Sequence, residues 1–145
     1  MKVLIDTNVV LDVLLNRSEF FVDSRTIFEL VEKKQIFGCI TASAITDIFY
    51  ILKKEIKNIE TVYQAIEKIA AIFFIAQVSE TSISNALTLR WRDFEDAVQF
   101  VAAKENDVTC IITRNKSDYE TSDIQCISPI DFIVQINEIK RQIKE

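Results

Sequence analysis

Lys2-Val3-Leu4-Ile5 runs directly into Asp6-Thr7-Asn8, after which Val9, Val10, Val13 and Leu14 recur at helical spacing. A short strand that is apolar on both faces has to be covered on both sides, as strands of parallel sheets are. The change from an unbroken apolar run to spacings of three and four marks a strand feeding a helix. Three further runs repeat the pattern, Phe37–Thr41, 109–113 and 124–127, and a weaker fifth spans 74–78. Between them, Ile27, Phe28, Leu30 and Val31 mark a helix, and so do Ile45, Ile48, Phe49 and Leu52, the latter ending in the basic group Lys53, Lys54 and Lys57. Val62, Ala65, Ile66, Ile69 and Ala70 mark another, and the stretches 81–91, 93–105 and 130–143 complete the set. Strands alternating with helices predict an α/β fold whose mostly parallel sheet has four to five strands and helices on both faces.

No Pro/Gly/Ser-rich linker, repeat or low-complexity stretch divides the 145 residues, which predicts a single domain over 1–145. A domain of that length buries roughly 68% of the surface its unfolded chain exposes. The longest apolar run, 69–76, has eight residues, far short of the ~18 a membrane span needs. Asp6 interrupts the N-terminal apolar run too early for a signal-peptide core. The expectation is a soluble cytoplasmic protein with no membrane association. With one glycine the chain has neither GxGxxG nor GxxxxGK[ST], so dinucleotide and P-loop phosphate binding are excluded. Cys39, Cys110 and Cys126 show no CxxC spacing and each adjoins Ile, as structural thiols do.

Histidine is absent altogether. That removes Ser-His-Asp and Cys-His nucleophiles, a histidine base and histidine metal ligands, leaving carboxylates, hydroxyls, thiols, lysine or a bound metal for any hydrolysis. Ligands of open α/β sheets bind beyond the carboxyl ends of the strands, so the polar residues there carry the argument. Asp6 follows the first strand, with Thr7 and Asn8 behind it, and Asn115 and Asp118 follow the 109–113 strand. Asp47 lies one turn into the helix after Phe37–Thr41, and Asp93, Glu95 and Asp96 crowd the start of another helix. Each has a plain structural alternative. Asp6 and Asp93 can cap helices, Glu95 can complement a helix dipole, and Asp47, Asp96 and Asp118 can face water. Taken together, several carboxylates in one crevice repel unless a cation sits among them. Oxygen ligands without His or Cys select Mg²⁺ or Mn²⁺. Such an ion activates water for phosphodiester hydrolysis without imidazole.

The ordered set Val3-Leu4-Ile5-Asp6-Thr7-Asn8, Thr46-Asp47, Asp93-Phe94-Glu95-Asp96-Ala97 and Ile112-Thr113-Arg114-Asn115-Lys116-Ser117-Asp118-Tyr119 resembles the PIN-domain family over nearly the whole chain. The resemblance implies a three-layer α/β/α fold and a Mg²⁺- or Mn²⁺-dependent ribonuclease acting on single-stranded RNA. Small members of the family are often toxins of VapC-type toxin-antitoxin pairs, held inactive by a cognate antitoxin and commonly homodimeric. The 66–74 stretch offers one apolar surface for dimerisation. Asp6 matches the family's first acid and Asp96 its third. Asp47 stands where the family usually has Glu, and Asn115 where its fourth acid commonly falls, with Asp118 and Asp93 placed to compensate.

On this reading Asp6, Asp47 and Asp96 hold the metal, and Asp118 or Asp93 orients the water or completes a second site. Thr7, Asn8, Asp93, Thr113 and Asn115 hydrogen-bond around them. Arg114, Lys116 and Arg92 are the candidate RNA contacts, with Trp91 either a stacking ring or part of the core. The competing reading is a PIN-like module whose altered acids, Asp47 and Asn115, leave it binding RNA or protein without cutting. Setting aside Asp6, Asp47, Asp96 and Asp118 takes the 22 acids to 18 against 17 bases, so the acidity is concentrated in the expected site.

Overall fold

Residues 1–145 are described by a computed structural model. In chain order the elements are β1 (Lys2–Ile5), α1 (Thr7–Leu14), α2 (Phe21–Glu32), β2 (Phe37–Thr41), α3 (Ala42–Glu55), α4 (Ile59–Ile72), β3 (Phe74–Ala76), α5 (Glu80–Leu89), α6 (Phe94–Glu105), β4 (Cys110–Ile112), β5 (Gln125–Ile127) and α7 (Pro129–Lys144), with a 3₁₀ turn at Lys116–Asp118. The expected mostly parallel sheet is parallel throughout, five-stranded, in the order β3-β2-β1-β4-β5. The fifth strand, expected at 74–78, ends at Ala76, and Ser79 already caps α5 by accepting from the Ser82 backbone N–H.

Strand side chains alternate between two cores, as a period of two requires. Val3, Ile5, Ile40, Cys110, Ile112 and Ile127 pack with α1, α2, α3, α4 and α7. Leu4, Cys39 and Ile111 pack with α5 and α6 on the opposite face. The result is the three-layer α/β/α arrangement. Burial raises Cys39 to about 11 and Cys110 to about 12, which keeps both thiols protonated and inert, as the structural reading expects.

The only glycine, Gly38, sits in β2, where a Cβ would meet Val31 Cγ2 at 2.7 Å and Phe73 at 2.9 Å. Close approach of α2 and the α4–β3 junction to the sheet therefore requires it. The left-handed turns that glycine usually supplies after helices fall instead to Asn16, Lys34, Arg90 and Asp107, with φ of 50, 57, 55 and 56, at a strain of about 1–2 kcal/mol each for an L residue. The larger apolar side chains of the surface expected at 66–74 turn mostly to the core: Ile69 and Phe73 are buried and Ile66 and Ile72 pack against the core, while Ala70, Ala71 and Phe74 are exposed. An amphipathic helix on a sheet buries its apolar stripe against that sheet. No helix is long and apolar enough to cross a membrane.

Candidate active site

The chain leaves β1 for β2 on one side and later returns to β4 on the other, so the strand order reverses between β1 and β4 and a crevice opens beyond their carboxyl ends. Asp6 follows β1 and Thr113 follows β4. Asp6 occupies the N-cap position of α1, yet its side chain makes no capping bond. Its carboxylate turns into the crevice instead. Gln99 Nε2 donates to Asp6 Oδ1 at 3.0 Å, Tyr119 OH donates to the same oxygen at 3.3 Å, and Thr113 Oγ1 donates to Oδ2 at 3.2 Å. Three donors from α6, the loop after the 3₁₀ turn and the end of β4 hold a buried carboxylate in one orientation.

Gln99 also donates to Asp96 Oδ1 at 3.3 Å, so one amide fixes the separation of the two buried acids. Asp96 sits in the first turn of α6 while Asp93 caps that helix, accepting from the Asp96 backbone N–H at 3.1 Å. Thr7 Oγ1 donates to Glu95 Oε1 at 2.8 Å, tying the start of α6 to the start of α1. Asp47, half-buried in α3, meets Glu95 from the other side.

The electrostatics follow from this crowding. Burial, then the charges of Asp6, Asp93, Asp118 and Glu95, push Asp96 up to about 8. Burial raises Glu95 to about 7, with the Thr7 hydrogen bond opposing and the contacts with Asp47 and Asp6 adding to the rise. Burial also raises Asp6, against the stabilisation its three donors supply. Tyr119 is held well above 10 by burial and by these anions, so it remains a donor.

Of the residues expected at the site, the structure links Asp6 to Thr113, and Asp96 to Asp6 through Gln99 and to Asp93 through the helix cap. Thr7 and Asp47 reach the crevice through Glu95, and Asp118 is half-buried at the edge, near enough to act on Asp96. Asn115 joins only indirectly. Its backbone N–H donates to Thr113 Oγ1 at 3.2 Å, while its side-chain oxygen accepts from Ser117 and shapes the turn. Asn8 is exposed and makes no hydrogen bond to the acids. Lys116 and Arg92 are exposed, Arg92 lining with Asp93, Ser117, Asp118 and Glu120 a polar cleft of about 260 Å³. Arg114 is engaged elsewhere: its Nε lies 2.9 Å from Oδ2 of Asp12, a fully buried acid in α1, and its guanidinium stacks 4.0 Å from the Phe20 ring. Arg17 reaches the other oxygen of Asp12 at 3.3 Å. Arg114 thus serves a buried acid as its counter-ion, with its side chain still 28% exposed. Trp91 belongs to the core, stacked on Phe100 at 5.0 Å with its N–H on Thr121.

Gln99, Tyr119 and Asp12 are the participants that sequence reasoning passed over, while Glu95 was named among the acids but given no role in the site. Gln99 carried a signal: it is the polar residue inside Ala97-Val98-Gln99-Phe100-Val101, where an unpaired amide is costly. Asp12 carried the same one within Val9-Val10-Leu11-Asp12-Val13. Tyr119 lies in an irregular loop with no periodicity to place it.

No three acidic or thiol side chains stand close enough to form a ready-made metal cage. The donor set nonetheless fits a hard divalent cation, because it is all oxygen and its acids Glu95 and Asp96 are raised by burial and then by neighbouring negative charge. Those shifts have a sign that can be tested without activity. A carboxylate whose folded pKa lies above its unfolded value binds more protons when folded, so stability falls as pH rises between the two values. The metal-free protein is expected to lose melting temperature as pH rises from about 5 to about 8, through the raised acids at about 7 and about 8, and Mn²⁺ should restore more at pH 8 than at pH 6. Calorimetric melts in EDTA that stay flat or rise across this window would contradict the crowding.

Several known proteins are similar to this chain in sequence or fold. A family model of the PIN domain matches residues 2–117. Ribonuclease VapC1 of Aquifex aeolicus (strain VF5) is 24% identical over 147 residues, covering 86% of this chain and 100% of that protein. VapBC2 from Rickettsia felis, bound to a DNA fragment from its promoter, superposes with a TM-score of 0.68 at 14% identity, over 87% of this chain and 97% of that one. A toxin-antitoxin complex from Klebsiella pneumoniae gives 0.65 at 19% identity, over 88% and 97%. At these identities the two structures speak for the fold, and the family match spans Asp6, Asp47, Glu95, Asp96 and Thr113, the residues that line the crevice between β1 and β4. This chain belongs to the PIN-domain family.

Proposed function

We propose that the protein is a Mg²⁺- or Mn²⁺-dependent endoribonuclease that hydrolyses phosphodiester bonds of single-stranded RNA, and that it is the toxin of a toxin-antitoxin pair, working as a homodimer. The observation that carries this reading is the crevice itself, in which burial raises Asp6, Asp96 and Glu95, and neighbouring acids raise the last two further, in a chain with no histidine. The name of the Aquifex relative and the toxin-antitoxin neighbours support the substrate class and the antitoxin.

Asp6, Asp47 and Asp96 would hold the ion. When bound, it supplies Lewis acidity toward a phosphate oxygen and lowers the pKa of water. Gln99 spaces Asp6 from Asp96, and Thr113 and Tyr119 lock the Asp6 rotamer, as residues behind metal ligands do. Asp118 and Asp93, at the rim of the polar cleft, accept hydrogen bonds from the attacking water and align it with the phosphate. Lys116 and Arg92 beside that cleft meet the RNA backbone.

Incubation with single-stranded RNA and Mn²⁺ should give cleavage that EDTA stops and added Mn²⁺ restores. One observation favours the second reading, a non-cutting PIN-like binding module: the acids form no closed cage, with Asp47 short and Asn115 neutral. Absence of both cleavage and Mn²⁺ binding near millimolar concentration would decide for that module.

A further inference from the structure

The basic group at the end of α3 has no part in the acid crevice and no ion-pair partner: no carboxylate lies within salt-bridge distance of Lys53, Lys54 or Lys57. Asp47, Tyr50 and Lys54 are spaced by three and four residues, which places them on one face of α3. The helical rise puts Lys54 about 10 Å along the axis from Asp47. Tyr50 is 59% exposed, and the Lys54 ammonium lies 4.2 Å from its ring centroid. On α4, Tyr63 is 51% exposed and braced edge-on at 5.0 Å against Phe49, the residue that precedes Tyr50 in α3. The one nearby acid of the helix end, Glu55, turns toward Leu14, Arg17 and Ile56 on another side.

Unpaired cations interleaved with exposed rings suit a ligand that alternates negative charges with flat apolar faces. A protein partner seeking contiguous apolar surface finds it instead at Phe37 and Phe74, near the opposite end of the sheet. We propose that this face of α3 is a track for single-stranded RNA leading away from the acid crevice, with Tyr50 stacking on a base and Lys53, Lys54 and Lys57 contacting phosphates. It takes its substrate class from the nuclease reading and continues that site along the helix that carries Asp47. The track explains how a chain with a net charge of −5 holds RNA, since the attraction is local and lies beside the repelling acids.

The test is the affinity of fluorescein-labelled polyuridine, read by anisotropy in EDTA at low salt, so that binding is separated from cutting. Tyr50→Ala should weaken binding about 5- to 100-fold, the span of one base-stacking contact, and Tyr50→Phe should keep wild-type affinity. The double variant Lys53→Glu/Lys54→Glu should weaken binding and flatten the log-log salt dependence by roughly 0.7 for each phosphate it no longer neutralises. All of these side chains are exposed, so melting temperatures should stay near wild type. Wild-type affinity in both Tyr50→Ala and the double variant overturns the track and leaves the face to a protein, even if the enzyme cuts RNA normally. Failure of the wild type to bind RNA overturns it as well. Binding that depends on Tyr50 and the lysines, without any cleavage in Mn²⁺, supports the track and removes the nuclease reading instead.

Discussion

Asp96→Asn should cut RNA at least about 100-fold more slowly than the wild type while making the metal-free protein more stable. The rate loss follows from removing a charged oxygen from the proposed ion site, where even a residue behind the ligands is worth about 10- to 100-fold. The stability gain follows from the crowding that pushes Asp96 up to about 8. The amide keeps an oxygen for Gln99 and leaves the Asp93 cap on the Asp96 backbone N–H untouched. What disappears is the cost of keeping a carboxyl buried beside Asp6, Asp93, Asp118 and Glu95, a relief on the order of 1 kcal/mol at neutral pH. Asp6→Asn should cost as much activity but gain less stability, because its carboxylate accepts from three donors and an amide NH₂ facing one of them is mismatched. Cleavage rates in Mn²⁺ and thermal melts in EDTA check both halves. An Asp96→Asn protein that is less stable than wild type, or that cuts equally well, would show that the crevice is a structural acid cluster.

Asp12→Ala should cost about 3–5 kcal/mol of folding stability, the loss expected when one partner of a buried ion pair is removed. Asp12 is fully buried and holds two arginines, with Arg114 arriving from the loop after β4 and Arg17 from the turn after α1. Burial raises the Asp12 carboxyl, and Arg114 first among its neighbours opposes that rise. Taking the anion away leaves two partly exposed guanidinium groups without the buried acid that holds them against α1. Arg114→Ala should be nearly as damaging, since Asp12 then keeps only the longer contact to Arg17. Replacing both together, as in Asp12→Leu/Arg114→Met, should recover most of the loss because the one charge left without its partner, Arg17, is 35% exposed and can turn to water. Urea denaturation of the three variants measures this directly. Full stability in Asp12→Ala would mean that the pair contributes nothing and that Arg114 is free for another role.

Much of the architecture was legible because burial on two faces leaves a mark in the sequence. Val3-Leu4-Ile5 and Cys110-Ile111-Ile112 have no polar position to offer a solvent-facing side, and each pairs in the centre of the sheet as its pattern demands. The strand-end acid Asp6 was legible for the same reason, since it is the first charged residue after a run that has to be buried. Acids near helix starts were more ambiguous. Asp93 does what a helix N-cap does, Asp96 three residues later is turned inward, and the residue types alone do not separate them. Glu95 looked like a dipole complement and is instead drawn in by the Thr7 hydroxyl.

Periodicity records what each element buries, because that is a property of consecutive residues. The sequence by itself determined the strands, the helices, the absence of imidazole chemistry and the strand-end position of Asp6. It did not record which buried polar groups meet, because those meetings join residues about a hundred positions apart through the strand order. Gln99 reaches Asp6, and Arg114 reaches Asp12, only because β4 lies next to β1 and α6 packs over that pair. The tertiary structure therefore decided that Gln99 and Tyr119 orient the central carboxylate, and that Arg114 neutralises a buried acid. A buried charge takes the nearest partner the fold supplies, whatever its neighbours in the sequence suggest.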